Sequence, residues 1–287
     1  MIYIIEETNI LINFKMKNFK DKHLAVLIPT KNRPKKLKRA LSSVANQSLL
    51  PDIVIIVNDS SKEYDPPIAQ IINSYDDMLG IMHLKNTRSH NLSGSINTGI
   101  FYLKDTPYNN DNSFIALLDD DDWWHDDYLL SCINCAVSNN VDWIISGIIR
   151  YDEKTPNGTL QVIPKGISVD DFLIMNPNIQ NSNLFIKLKH LLSINGFDEA
   201  LICTTDRDIC IRLLEIPNIS YKSINQHLVH HWAFNYEERL SNPGSKTKKV
   251  GLNQFYRKYR NRMNPLQTEA FKKRAFDLFK TKIEDDF

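Results

Sequence analysis

Cysteine is scarce: four residues, at 132, 135, 203 and 210, in a chain of 287. That is too few for a disulfide scaffold and fits a reducing compartment. Glycine, with 9 residues, and proline, with 12, are also sparse, so collagen-like and low-complexity disordered chains are excluded. Long hydrophobic runs are missing. The apolar run at 53–57 is far short of the roughly 20 residues of a membrane span. No charge of one sign prevails, since 35 Lys and Arg against 34 Asp and Glu leave +1. Such a chain does not coat nucleic acid or an acidic membrane with its whole surface; an anionic partner must be met by a local patch. The opening MIYIIEETNILINF has acids inside its apolar stretch and no basic leader, so it fails as a signal peptide and the expected location is cytoplasmic.

What remains is an ordinary globular composition, 42% hydrophobic and 24% charged, and a length that supports one large domain or a domain with an appendage. Cys132 and Cys135 have C-x-x-C spacing, but no second Cys/His pair stands at zinc-ribbon distance and their segment reads as a helix interior. They are expected to be buried thiols.

From Leu24 onward short β-branched runs alternate with helical stretches, the pattern of an α/β domain on a largely parallel sheet. LAVLIP (24–29) reads as a strand. RPKKLKRALSSVANQS (33–48) follows as a helix with Pro34 in its first turn and Leu37, Ala40, Leu41, Val44 and Ala45 on one face, stopped by Pro51. Further strands are expected at 52–59, 81–84 and 114–118, with a helix capped by Ser93 before the last of them. Beyond it come a helix near 127–138, a strand at 142–150, a turn at 156–158 and less regular α+β structure. From about Asn235 the composition turns basic: SNPGSKTKK signals a linker, and FYRKYRNRM and FKKRAFDLFK read as helices. The organisation expected is an extension over 1–23, a catalytic domain over 24–234 and a basic helical extension over 235–287.

Four segments carry chemistry. In FIALLDDDDWWHDDYL (114–129) a buried strand runs into Asp119, Asp120, Asp121 and Asp122, four like charges that repel unless a cation binds them. Alternation puts Asp119 and Asp121 on one side, in the crevice beyond a strand's carboxyl end where open α/β sheets bind ligands. Mg²⁺ or Mn²⁺ with phosphate oxygens fits such a carboxylate pair; a solvated acidic turn capping the next helix through Asp126 or Asp127 is the alternative. TTDRDICIRLLE (204–215) places Asp206 in a helix's first turn, as a cap or as a general base. VNDSS (57–61) brings Asn58 and Asp59 to a strand end, where an acid recognises a base or ribose. HLVHHW (227–232) offers His227, His230 and His231 as metal or pyrophosphate ligands, or as ordinary packed histidines.

In this order and spacing, over about residues 24–232, the segments resemble the nucleotide-sugar glycosyltransferases of the GT-A fold, specifically the inverting family 2. AVLIPTKNRPKKLKRALSSVANQSLLPDIVIIVNDSS is similar to that family's opening, the aspartates to its L-D-x-D-D motif, and TTDRD to its [ED]-D-x-D segment. The resemblance implies a Rossmann-like mixed sheet with a C-terminal helical extension. It implies a donor pocket lined by Pro29, Thr30, Asn32, Arg33 and Asp120, a nucleobase contact at Asp59, and Asp119 and Asp121 facing the diphosphate and a Mn²⁺ or Mg²⁺ ion, with Asp121 first for direct ligation. His230 or His231 is implied as a distal metal ligand and Asp206 as the base. Asp208 would orient the acceptor or the local helix. Trp123 and Trp124 follow the metal segment; one is expected to stack on a sugar or an acceptor base and the other to pack inside. SINTG (95–99) keeps Asn97 and Gly99 of the family's A-R-N-x-G but has Ile96 in place of the arginine, so Arg88, Lys85 or Arg33 must supply the charge.

The reaction implied is transfer from a nucleotide-diphosphate donor, a UDP-sugar first among them, to a hydroxyl of a glycan, a small molecule or a modified nucleic acid. The rivals are a metal-dependent nucleotidyltransferase and a non-catalytic carbohydrate- or nucleotide-binding protein on the same scaffold. The C-terminal cations, from Lys246 to Arg274, either dock an anionic acceptor or decorate a solvated hairpin over the catalytic domain.

Overall fold

The computed structural model describes Phe19, residues 21–234 and residues 242–284. Most of the expected N-terminal extension and the expected join at 235 therefore lie outside the described residues. The first half comprises β1 (His23–Thr30), α1 (Pro34–Ala45), β2 (Ile53–Asn58), α2 (Asp65–Asn73), β3 (Ile81–Lys85), α3 (Leu92–Lys104) and β4 (Ser113–Leu117). There follow β5 (Trp123–Trp124), α4 (Tyr128–Asn139), β6 (Trp143–Tyr151), β7 (Thr159–Leu160), α5 (Val169–Ile174), β8 (Leu184–Lys187), α6 (Leu188–Ser193), α7 (Thr205–Leu214), β9 (Tyr221–Trp232), α8 (Lys246–Tyr259) and α9 (Pro265–Phe279).

One mixed sheet runs through the molecule in the order β3-β2-β1-β4-β8-β6-β9-β5, with β7 added to β6. The pairs among β1 to β4 are parallel. β8 then enters antiparallel between β4 and β6, β6 and β9 are parallel, and β5 is antiparallel to β9. The unbroken apolar reading of β1 has a direct cause: both faces are covered. Ala25 and Leu27 join the core formed with α3, α5 to α9. Leu24, Val26 and Ile28 join the core formed with α1, α2 and α4.

α1 buries the expected face but ends at Ala45, well before Pro51, with Asn46 as its C-cap. α3 is capped by Asn91, whose side chain accepts from the Gly94 N–H at 2.8 Å; Ser93 is buried inside the helix and caps nothing. All four cysteines are free thiols, and burial pushes each of them up, most strongly Cys132 and Cys210. No described helix is long and apolar enough to cross a membrane.

The C-terminal helices share the domain's core: Leu252, Phe255, Tyr256, Tyr259, Phe271 and Ala275 pack with Ile209, Ile211 and Phe172. Several of their cations face inward or pair locally. Lys248 is buried with its Nζ 4.3 Å from the Phe279 ring centroid, Lys258 bonds Asp198 and Asp208, Arg262 pairs with Glu215 and Lys273 with Asp277. Among the described residues, α8 and α9 pack as a hairpin on the rest of the domain.

Candidate active site

The acidic run leaves β4 and is pulled apart by its neighbours. Asp119, Asp121 and Asp122 bring carboxylate oxygens within 4.8 Å of one another. Asp120 turns the other way, accepting from Thr30 Oγ1 at 2.8 Å and from Arg33 Nη1 at 3.3 Å. Arg33 also reaches Asp121 at 3.2 Å. Burial alone would lower the Arg33 pKa; Asp120, Asp121 and Asp119 more than reverse this. Burial, then Asp122 and Asp121, push the Asp119 carboxyl well up, and burial with Asp121 lifts Asp120 to about 6 against the pull of Arg33 and Thr30. Burial opposes the charge of Asp122 too, but His231, Ser182 and the Trp232 N–H outweigh it and hold that carboxyl low. Two carboxylates at such a separation repel by about 3 kcal/mol at an effective dielectric of about 20. Three hard oxygen donors so grouped suit Mn²⁺ or Mg²⁺.

Sequence reasoning passed over Asp122, although it is the last acid of the L-D-x-D-D pattern. It is fully buried and holds the end of β9, accepting from Trp232 N at 3.0 Å and lying 3.1 Å from His231 Nδ1. The same reasoning passed over NPNIQNSN (176–183), whose density of amides was the available signal. Its 3₁₀ turn Asn181–Asn183 is buried beneath the acids. Ser182 Oγ donates to Asp122 at 2.6 Å and accepts from Asp119 N at 3.1 Å, while Asn181 Nδ2 donates to Asp119 at 3.2 Å. At the other end of the segment Asn176 Nδ2 donates to Asp206 Oδ2. One short stretch of chain thus touches both the acid cluster and the expected base.

Asp206 lies in the first turn of α7, half-buried, and accepts from the Arg207 N–H. Asp208 is not open to an acceptor: it is fully buried, accepting from Arg212 Nε at 2.8 Å, Tyr259 Oη at 2.7 Å and Lys258. Its place is to brace α7 against α8. Trp124 is likewise removed from acceptor contact, buried on Tyr128 with its indole N–H donating to the Ser182 carbonyl at 2.7 Å. Trp123 is partly exposed, but its ring already carries Arg39 at 4.3 Å and His230 at 4.9 Å. Successive residues of β9 point to opposite faces, so only His231 reaches the acid cluster. His230 bonds Tyr151 Oη at 2.8 Å and stacks on Trp123, away from the position expected of a metal ligand.

The nucleotide end is built where β1 and β2 terminate side by side, with Pro29 opposite Val57 and Thr30 opposite Asn58. Asn32, at φ 57°, uses the left-handed conformation that asparagine tolerates; its N–H donates to Ser60 Oγ at 2.7 Å and its Oδ1 accepts from Ser61 N at 3.0 Å. Asp59 accepts from Lys31 at 2.8 Å and Asn86 at 2.9 Å and lies 2.6 Å from His90 Nδ1. Burial works against its charge, yet the bonds from Lys31, His90 and Asn86 hold it below the ordinary carboxylate range.

Arg88 and Asn97 do not face this pocket. Asn97 is buried and clamps the 197–199 segment, donating to the Phe197 carbonyl at 2.8 Å and to Glu199 at 2.7 Å. Arg88 pairs with Glu199 and covers Phe101. Lys85 pairs with Asp65, and Ile96 is a fully buried core residue. Of the three cations proposed to replace the missing arginine, Arg33 alone is bonded to the acid cluster among the described residues.

The chain resembles known proteins in keeping with this geometry. A relative in Rickettsia bellii described as an uncharacterized glycosyltransferase is 24% identical over 208 residues, 70% of this chain but 29% of that protein. One so described in Haemophilus influenzae is 24% identical over 72% of this chain and 67% of its own length. The poly(ribitol-phosphate) β-N-acetylglucosaminyltransferase TarP of Staphylococcus aureus is 31% identical over 43% of this chain and 36% of its own. The fold matches S. aureus TarS in complex with UDP-GlcNAc at a TM-score of 0.64 and 15% identity, over 88% of this chain and 72% of that one. It also matches the Pyrobaculum calidifontis mannosyltransferase PcManGT, in complex with GDP-Man and Mn²⁺, at 0.56 and 12% over 91% and 74%. The family model for glycosyl transferase family 2 matches residues 25–203, from the first strand to the segment before α7, and this chain, with its GT-A fold, belongs to that family of enzymes.

Proposed function

We propose that this chain transfers a sugar from a nucleotide-diphosphate donor, a UDP-sugar first among them, to an acceptor hydroxyl with inversion, in dependence on Mn²⁺ or Mg²⁺. The observation that carries the reading is the convergence of Asp119, Asp121 and Asp122 carboxylate oxygens within 4.8 Å at the end of β4. A divalent ion held there would stabilise charge on the departing diphosphate as a Lewis acid. The chain's own residues do the rest. Thr30 and Arg33 fix Asp120, Asn32 holds the two strand-end turns together, and Asp59 stands at the nucleotide end with its charge favoured. Asp206 is the group that takes the acceptor proton, oriented by Asn176 on the segment whose other end holds Asp119. The UDP-GlcNAc of TarS and the Mn²⁺ of PcManGT support a UDP-linked donor and a metal, and the four unpaired thiols support a cytoplasmic location.

The acceptor class is a glycan, a small molecule or a modified nucleic acid. Incubation with a panel of nucleotide sugars and Mn²⁺ tests the reading by its product. Release of a nucleoside diphosphate that stops with EDTA is expected. Release of pyrophosphate would make the chain a nucleotidyltransferase, and metal-dependent donor binding without turnover would make it a binding protein.

A further inference from the structure

The balanced net charge hides a local concentration. Six of the nine residues at 31–39 are basic, and α1 has no acid in its first turn. Cations at a helix N-terminus oppose its dipole by about 0.3–1 kcal/mol each, so helix stability does not account for them. Lys31 is bonded to Asp59, Arg33 to Asp120 and Asp121, and Arg39 to the Asp121 carbonyl. Lys35 and Lys38 are exposed and form no ion pair among the described residues. With Arg39, Ser42 and Asn46 they line a cleft of about 450 Å³ floored by Trp123. Positions 35, 38, 39, 42 and 46 recur at helical spacing, so cations and then neutral hydrogen-bonding groups form one stripe about 16 Å long. Its acidic lining is Asp126. Arg39 joins the stripe to the acid cluster.

We propose that this cleft is an acceptor subsite for a chain carrying repeated phosphate groups, of the polyol-phosphate kind, laid along α1 with a hydroxyl presented toward the acid cluster. The inference rests on the glycosyl-transfer reading above. Charge complementarity selects the anion, and the length of the stripe selects a chain over a single ion. Single-stranded nucleic acid is held largely by successive bases stacking on aromatic rings; of the three aromatics lining the cleft, Trp123 already carries Arg39 and His230 on its ring and Trp124 is buried, which leaves Tyr75 alone. A polyol needs only hydroxyl and phosphate partners.

The test uses the full chain and an end-labelled poly(glycerol phosphate) oligomer, read by fluorescence anisotropy. Saturable binding that weakens as salt rises is expected, with about tenfold loss, or about 1.4 kcal/mol, in the Lys35→Gln/Lys38→Gln variant. The Lys35→Arg/Lys38→Arg variant is expected to retain binding, which separates lost charge from misfolding. Unchanged affinity in the glutamine variant overturns the proposal. So does equal competition by inorganic phosphate at matched phosphate concentration, equal binding of neutral dextran, or tighter binding of single-stranded RNA or phosphatidylglycerol vesicles. Mn²⁺-dependent UDP binding by calorimetry tests the underlying reading separately: UDP binding without oligomer binding removes the subsite alone, and oligomer binding without UDP binding removes its role as an acceptor site.

Discussion

Asp119 and Asp122 stand three residues apart in one acidic run, and burial acts on both, yet Asp119 is pushed up beside its fellow acids while Asp122 is held low by His231, Ser182 and Trp232 N. The run therefore divides into one acid whose charge the fold favours and two, Asp119 and Asp120, whose charge it disfavours. Asp120, raised to about 6, and Asp119 bind protons more tightly folded than unfolded. The stability Asp120 contributes is complete below about pH 4 and is lost as pH rises through about 6, and the contribution of Asp119 has the same sign. Glu199, lowered to about 2, works in the opposite sense, its contribution present above about pH 4.5 and lost as pH falls toward 2. A Mn²⁺ ion held by Asp119, Asp121 and Asp122 would displace the proton that Asp119 favours, so Mn²⁺ is expected to raise the melting temperature more at pH 7 than at pH 5; equal rises would break the link. At the proposed base, Asp206→Asn is expected to lower transfer by about 10²–10⁴-fold with UDP affinity kept, and wild-type turnover in that variant would remove Asp206 from the chemistry.

Helix α7, which carries Asp206, is gripped from behind. Thr204, just before it, sits at φ 62°, a costly conformation for a β-branched residue. α8 packs on that turn through Gly251: an added Cβ there would lie 2.2 Å from Cys203 Sγ and 3.1 Å from its backbone N. Arg207, beside Asp206, is buried with Nε donating to the Phe172 carbonyl at 2.8 Å and its guanidinium 4.1 Å from the Phe255 ring. Burial lowers its pKa to about 9, although Asp206 pulls the other way. Gly251→Ala is expected to cost about 1–3 kcal/mol by overpacking. Its turnover should fall more than its UDP affinity, because the residues proposed to bind the donor lie on β1, β2 and the acid run; a parallel loss of both, measured by calorimetry and UDP release, would contradict this.

The catalytic domain and the C-terminal hairpin are one body of hydrophobic contacts. Removing residues 245–287 would expose the core against which Leu252, Phe255, Tyr256, Tyr259 and Phe271 pack. It would also strip Asp208 of Lys258 and Tyr259 and leave Arg207 without its aromatic cover. Such a chain is expected to lose its cooperative thermal transition in circular dichroism. A sharp melt close to that of the full chain would establish instead that the domain folds without the hairpin.

The parallel half of the sheet, the face of α1 and the acidic strand tip were legible because each depends on residues near in sequence: a buried parallel strand must be apolar, an amphipathic helix must repeat its apolar positions, and four adjacent aspartates need compensation wherever they lie. Asp206 in its first turn was legible for the same reason. The cap at Asn91, the buried brace at Asp208, the diversion of Asn97 and Arg88 to Glu199, and the split between His230 and His231 were not, since each is decided by a partner that local sequence does not name. Long-range packing chose those partners: β9 had to lie against β5 before one histidine could face the acids, and α8 had to close on α7 before Asp208 could be buried.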